Sequence, residues 1–103
     1  VDDFRQYKIL PEQAKIEMEN GAKIIDVRGY DEYNELHIKG AINIPVDQIS
    51  TTLEQIIPDK STKIIFYCGM GARSQAALEE AIKLGYKEVY NLGGLNDWPF
   101  EKE

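Results

Sequence analysis

Apolar residues along this chain fall into short blocks of two kinds, and the two kinds alternate. Blocks four or five positions long take turns with stretches in which apolar side chains return every three or four residues. That alternation predicts strands separated by helices, the βαβ signature of a mostly parallel sheet covered on both faces. Tyr7 to Leu10 reads as a weak first strand. Pro11 suits the opening turn of a helix through about Glu19, with Ala14 and Met18 on one face and Asn20-Gly21 as its stop. Lys23 to Val27 is a strand rich in β-branched residues. Tyr30 to Leu36 reads as a short helix, with Tyr30, Tyr33 and Leu36 at three-residue spacing and Asp31 and Glu32 near its positive end.

Ala41 to Ile44 is a brief strand ended by Pro45. A polar start at Ser50 to Thr52 leads into a helix carrying Leu53, Ile56 and Ile57, which Pro58-Asp59 terminates. Lys63 to Tyr67 is the central strand. From Ser74 to Leu84 the pairs Ala77/Ala81 and Leu78/Ile82 define a helix with one apolar stripe, and Gly85 stands where a left-handed cap is expected. Glu88 to Leu92 is the last strand. Gly93-Gly94 then turns the chain into a closing segment where Trp98 and Phe100 are expected to pack.

Composition narrows the classes of function. With 103 residues the chain is expected to be one domain, burying roughly two thirds of its unfolded surface. A net charge of -6 argues against non-specific binding to nucleic acid or an anionic membrane, so an anionic substrate must be captured by local groups. The apolar run Ile64 to Cys68 is far too short to span a bilayer, and no charged-then-apolar leader precedes Phe4. One cysteine forms no intrachain disulfide, and no C-x-x-C pair offers dithiol or zinc chemistry, so a reducing cytoplasm is the default expectation. The start at Val1, without a methionine, leaves a removed leader or a larger parent protein open beside that default.

Chemistry concentrates where the central strand ends. Ile64-Ile65-Phe66-Tyr67 leads to Cys68, then to Gly69-Met70-Gly71-Ala72-Arg73 and the helix from Ser74. A parallel strand delivers the sulfur to the carboxyl edge of the sheet, the glycines let the backbone curl around it, and the helix aims its amino end at the same spot. Amides arranged in this way favour a thiolate, and no histidine base is required. A lone cysteine after an apolar strand is more often a small buried hydrophobe, but two glycines, an arginine and an immediate helix are costly choices for packing alone. Met70 at the loop apex is expected to touch whatever enters. Arg73 has two readings: its guanidinium faces the pocket and attracts an anion, or it pairs with Asp26 or Glu32 and braces the loop. Arg28 reads as one half of an ion pair at a strand end, and His37 as a turn residue outside the chemistry.

Cys68-Gly69-Met70-Gly71-Ala72-Arg73 resembles the six-residue active loop of rhodanese-type sulfurtransferases. Asp26-Val27-Arg28, Glu32-Tyr33, His37-Ile38-Lys39-Gly40-Ala41 and Asn43-Ile44-Pro45 resemble the family's amino-terminal signature, and Gly93-Gly94 followed by Trp98 its carboxyl-terminal one. The likeness runs through nearly the whole chain in order. It implies a single rhodanese-like domain over residues 1–103, an α/β fold with a central, mostly parallel five-stranded sheet and helices on both faces. It also implies transfer of sulfane sulfur, from thiosulfate or a persulfide to cyanide, a thiol or a protein, through a Cys68 persulfide. Gly69, Met70, Gly71, Ala72 and Arg73 would bind the substrate, while Asp26, Arg28 and Glu32 brace the loop. No cofactor or metal is implied, and the partners are small sulfur compounds and a sulfur-relay protein.

The chain also departs from the family's pattern. Gly69, Met70 and Ala72 are neutral where many thiosulfate users carry basic residues, which implies weak use of thiosulfate. Glu32 and Arg73 differ from the residues of mercaptopyruvate users. Leu36 replaces a glycine, which implies altered turn geometry before His37. Two rivals stay open: a phosphatase or arsenate reductase of related fold, which places one residue more between cysteine and arginine, and a regulatory or binding module or redox sensor built on the same fold.

Overall fold

The structure, a computed structural model, describes residues 4–103; the residues before Phe4, where no leader is expected, lie outside the described residues. Four strands form one sheet: β1 (Lys23–Asp26), β2 (Ile42–Asn43), β3 (Ile64–Cys68) and β4 (Val89–Gly94). Their order is β2-β1-β3-β4, and every neighbouring pair is parallel. The expected count of five strands is therefore one too many. Phe4–Tyr7 is a 3-10 turn, and Lys8 makes a single parallel bridge to Asn91, with the Ile9 amide donating to the Asn91 carbonyl at 3.1 Å. Pairing stops there for a local reason. The Leu10 amide is taken by Gln13 Oε1 at 3.0 Å, and Pro11, which has no N–H, already begins a helix.

Helices cover both faces. α3 (Ile49–Ile56) and α4 (Ala72–Lys83) bury Ile49, Leu53, Ala77, Leu78 and Ala81 against Ile25, Val27, Ile64, Phe66 and Cys68. On the other face α1 (Pro11–Glu19) and the closing segment bring Ala14, Leu95 and Trp98 onto Ile24, Ile65, Tyr67 and Leu92. Strand alternation sends neighbouring residues to opposite cores, and β3, buried at every position, is apolar throughout for that reason. Trp98 and Phe100 meet edge to face with centroids 5.0 Å apart.

Three boundaries that position the site differ from expectation. α2 (Tyr30–Glu35) stops before Leu36, whose φ of -165° is ordinary extended backbone that leucine adopts as readily as glycine. α4 starts at Ala72, two residues earlier than the apolar stripe indicates. β4 continues through Gly93 and Gly94, which pair with Tyr67 and Cys68 after a register shift that leaves Leu92 as the extra residue. Among the described residues no helix is long and apolar enough to cross a membrane.

Candidate active site

β3 ends at Cys68, and the chain turns through Gly69, Met70 and Gly71 into α4. Gly71 has φ of +102°, a left-handed conformation that a side chain would strain, and it points its N–H back at the sulfur. Cys68 Sγ accepts from the Gly71 amide at 2.9 Å and from the Ser74 amide at 3.4 Å, with Ser74 Oγ at 3.5 Å. Cys68 is buried, at 1% exposure, yet the immediate partners of its sulfur are polar. Burial pushes the thiol up, but the Ser74 hydroxyl and the amides of Ser74, Gly71 and Met70 outweigh it and hold Cys68 below its ordinary value.

Ser74 belongs to a chain of polar groups beneath the loop. Its hydroxyl lies 2.9 Å from the Gly71 carbonyl and 2.7 Å from Asn91 Oδ1, while Asn91 Nδ2 donates to Gln75 Oε1 at 3.1 Å. The Gly93 amide donates to Asn91 Oδ1 at 2.9 Å, which ties this chain of bonds to the irregularity in β4. Neither Ser74 nor Asn91 stands out chemically in the sequence. The available signal was an asparagine inside a strand, where that residue type is disfavoured unless its amide is used.

Gly94 packs against the start of the loop. A Cβ at this position would stand 2.5 Å from the Gly69 carbonyl oxygen and 3.5 Å from Met70 Cα, so only glycine lets β4 approach so closely. Met70 itself is 96% exposed at the loop apex.

Of the two carboxylates considered for Arg73, Glu32 is the one that meets it. Arg73 Nη1 and Nη2 donate to Glu32 Oε1 and Oε2 at 2.8 and 3.0 Å, a two-pronged pair that joins α2 to the loop end of α4. The Arg73 guanidinium, helped by the Gly29 amide and opposed by partial burial, holds the Glu32 carboxyl down to about 2. Asp26 and Arg28 instead pair with each other. The Asp26 carboxylate accepts from the Arg28 amide at 2.9 Å, from Arg28 Nε at 3.0 Å and Nη2 at 2.8 Å, and from the Tyr67 hydroxyl at 2.7 Å. Arg28 also donates to the Leu36 carbonyl, and the Ile38 amide donates to Tyr67 Oη at 3.0 Å. Burial, chiefly, raises the Tyr67 phenol well above its usual range, and the Asp26 contact raises the Arg28 guanidinium. His37 is engaged elsewhere, Nδ1 with the Tyr33 carbonyl at 2.7 Å and Nε2 with Glu103 at 3.4 Å. Among the described residues no group of three or more His, Cys, Asp or Glu side chains could hold a metal ion.

A buried sulfur held by amides, next to a helix amino end and an exposed loop apex, can act as a nucleophile that carries charge without a base. The chain is similar to known proteins in sequence and in fold. The family model for the rhodanese-like domain matches residues 10–100. The chain is 40% identical over 73 residues to the thiosulfate sulfurtransferase PspE of Escherichia coli, covering 71% of this chain and 70% of that protein. It is 36% identical over 76 residues to the thiosulfate sulfurtransferase GlpE of Coxiella burnetii, covering 73% and 69%. A solved structure of a rhodanese with anions from E. coli superposes with a TM-score of 0.77 at 36% identity, covering 81% of this chain and 98% of that one.

Proposed function

The chain belongs to the family of rhodanese-like domains and is a rhodanese-type enzyme, and from that premise we propose that it transfers sulfane sulfur through a persulfide on Cys68. The reading rests most heavily on one observation, the Gly71 amide donating to Cys68 Sγ at 2.9 Å with Ser74 behind it. In the first half-reaction the Cys68 thiolate attacks the outer sulfur of thiosulfate, an S–S bond forms to the enzyme, and the donor's S–S bond breaks as sulfite leaves with the electron pair. In the second, the carbon of cyanide or the sulfur of a thiolate attacks the outer sulfur and takes it, so that thiocyanate or a new persulfide departs and the Cys68 thiolate is restored. This is ping-pong chemistry.

The loop residues supply binding. Amides at the start of a helix have no partner within it, so those of Ala72 and Arg73 are available to stabilise the outer sulfur as negative charge builds on it, while the Gly71 and Met70 amides hold Sγ itself. Arg73 holds the ring in shape through Glu32. A persulfide donor, or a protein that relays sulfur, is served by the same loop because Met70 stands exposed where such a partner arrives.

The test is intact mass after exposure to thiosulfate or a small-molecule persulfide, with and without later cyanide. One added sulfur atom that cyanide removes, absent in Cys68→Ser, is the expected result. Failure of both donors to load the wild-type protein overturns the proposal.

A further inference from the structure

A cleft of about 450 Å³ opens beside the loop. Met70 and Gly71 line it together with Gly93 and Gly94, and two charged residues, Lys8 and Asp97, stand in its wall. Lys8 arrives there because its backbone bridges Asn91, the residue that also holds Ser74. Its ammonium is exposed and has no ion-pair partner among the described residues, and no pair joins it to Asp97.

Attraction of an anion to this site has to come from somewhere specific. The net charge of -6 repels small anions, the loop between Cys68 and Arg73 carries no cation, and the Arg73 guanidinium is already neutralised by Glu32 at 2.8 and 3.0 Å. A single unneutralised ammonium beside a low-dielectric wall exerts more pull than the diffuse charge of a distant surface, within about one Debye length of roughly 10 Å at moderate salt. Asp97 acts against it from the same cleft.

We propose that this cleft is the route by which small anionic sulfur compounds reach Cys68, and that Lys8, opposed by Asp97, sets its preference for anions. The proposal rests on Cys68 being the reacting nucleophile, and its test requires no sulfur transfer. The full chain, Lys8→Gln and Asp97→Asn are alkylated with iodoacetate, an anion, and with iodoacetamide, its neutral counterpart. In both reactions the Cys68 thiolate forms an S–C bond and iodide leaves with the electrons of the C–I bond, so the two reagents differ in charge and share their chemistry.

Lys8→Gln is expected to lower the ratio of iodoacetate to iodoacetamide rates by about threefold at low ionic strength, and Asp97→Asn to raise it by about as much, both effects shrinking as salt is added. Iodoacetamide rates should match across all three proteins, which also reports intact folding. In thiosulfate turnover the same Lys8→Gln change is expected to raise KM and leave kcat in place. An unchanged rate ratio in Lys8→Gln overturns the proposal, and so does an equal fall with both reagents. A shifted ratio in a protein that takes no sulfur from any donor upholds the cleft and removes the sulfurtransferase reading instead.

Discussion

Ser74 is where the charge on the sulfur depends most on one atom. Its hydroxyl is the largest single influence holding the Cys68 thiol down, and it stands 3.5 Å from Sγ while also facing the Gly71 carbonyl and Asn91. A hydroxyl carries one proton, so the thiolate competes with two oxygens for it. Ser74→Ala removes that donor and leaves the Gly71 amide in place. The thiol of the variant should titrate higher, and its alkylation by iodoacetamide at pH 7 should slow by roughly threefold, with the whole pH profile displaced toward alkaline values. An unchanged profile would assign the lowered thiol to the amides alone. At this scale the sequence was informative about Cys68, Gly69 and Gly71, because a strand end followed by glycines and a helix is a local pattern. It was silent on Ser74 as a sulfur partner, since that role needs Asn91 to arrive from β4.

Elements act on the loop through two contacts. The first joins α2 to α4 through Glu32 and Arg73. Because Glu32 is held at about 2 against an ordinary value of 4.5, its ion pair contributes stability that is whole above pH 4.5 and is lost as pH falls toward 2. Both side chains are more than a third exposed, so screening keeps the contribution below about 1 kcal/mol. Glu32→Gln should therefore melt slightly below the wild type at pH 7, and the difference should vanish in melts near pH 2. The second contact is β4 against the loop. Gly94 has φ of -100°, which alanine tolerates, so Gly94→Ala tests the 2.5 Å approach to the Gly69 carbonyl and not backbone strain. The variant should keep its far-UV circular dichroism and lose sulfur loading by about tenfold or more, as small displacements of a reacting centre do. The same contact explains why the expected turn at Gly93-Gly94 is instead the end of a strand.

The whole molecule is tied together by the buried group of Asp26, Arg28 and Tyr67. These residues connect β1 with β3 and, through Leu36 and Ile38, with the turn before β2. All of the polar contacts are made inside the protein, where Asp26 is fully buried and Arg28 7% exposed. Asp26→Ala leaves a guanidinium without its counter-charge and should cost about 3 to 5 kcal/mol in urea unfolding. Tyr67→Phe removes one hydroxyl and should cost about 1 to 2 kcal/mol, which separates loss of charge pairing from loss of a hydrogen bond. A substitution at Asp26 that leaves the unfolding midpoint in place would show that the group is dispensable to the fold.

Periodicity along the chain determined the succession of strands and helices and the two faces of the sheet, because strand and helix repeats are properties of the local backbone and of which side chains avoid water. It also determined that Cys68 ends the central strand beneath a glycine loop. Tertiary structure alone decided that Glu32 and not Asp26 meets Arg73, that Tyr7 to Leu10 contributes one bridge in place of a strand, and that Gly94 touches Gly69 while Lys8 enters the same cleft. Each of these joins residues far apart in the chain, and their closeness follows from the strand order β2-β1-β3-β4 and the register of β3 with β4, which no local pattern encodes.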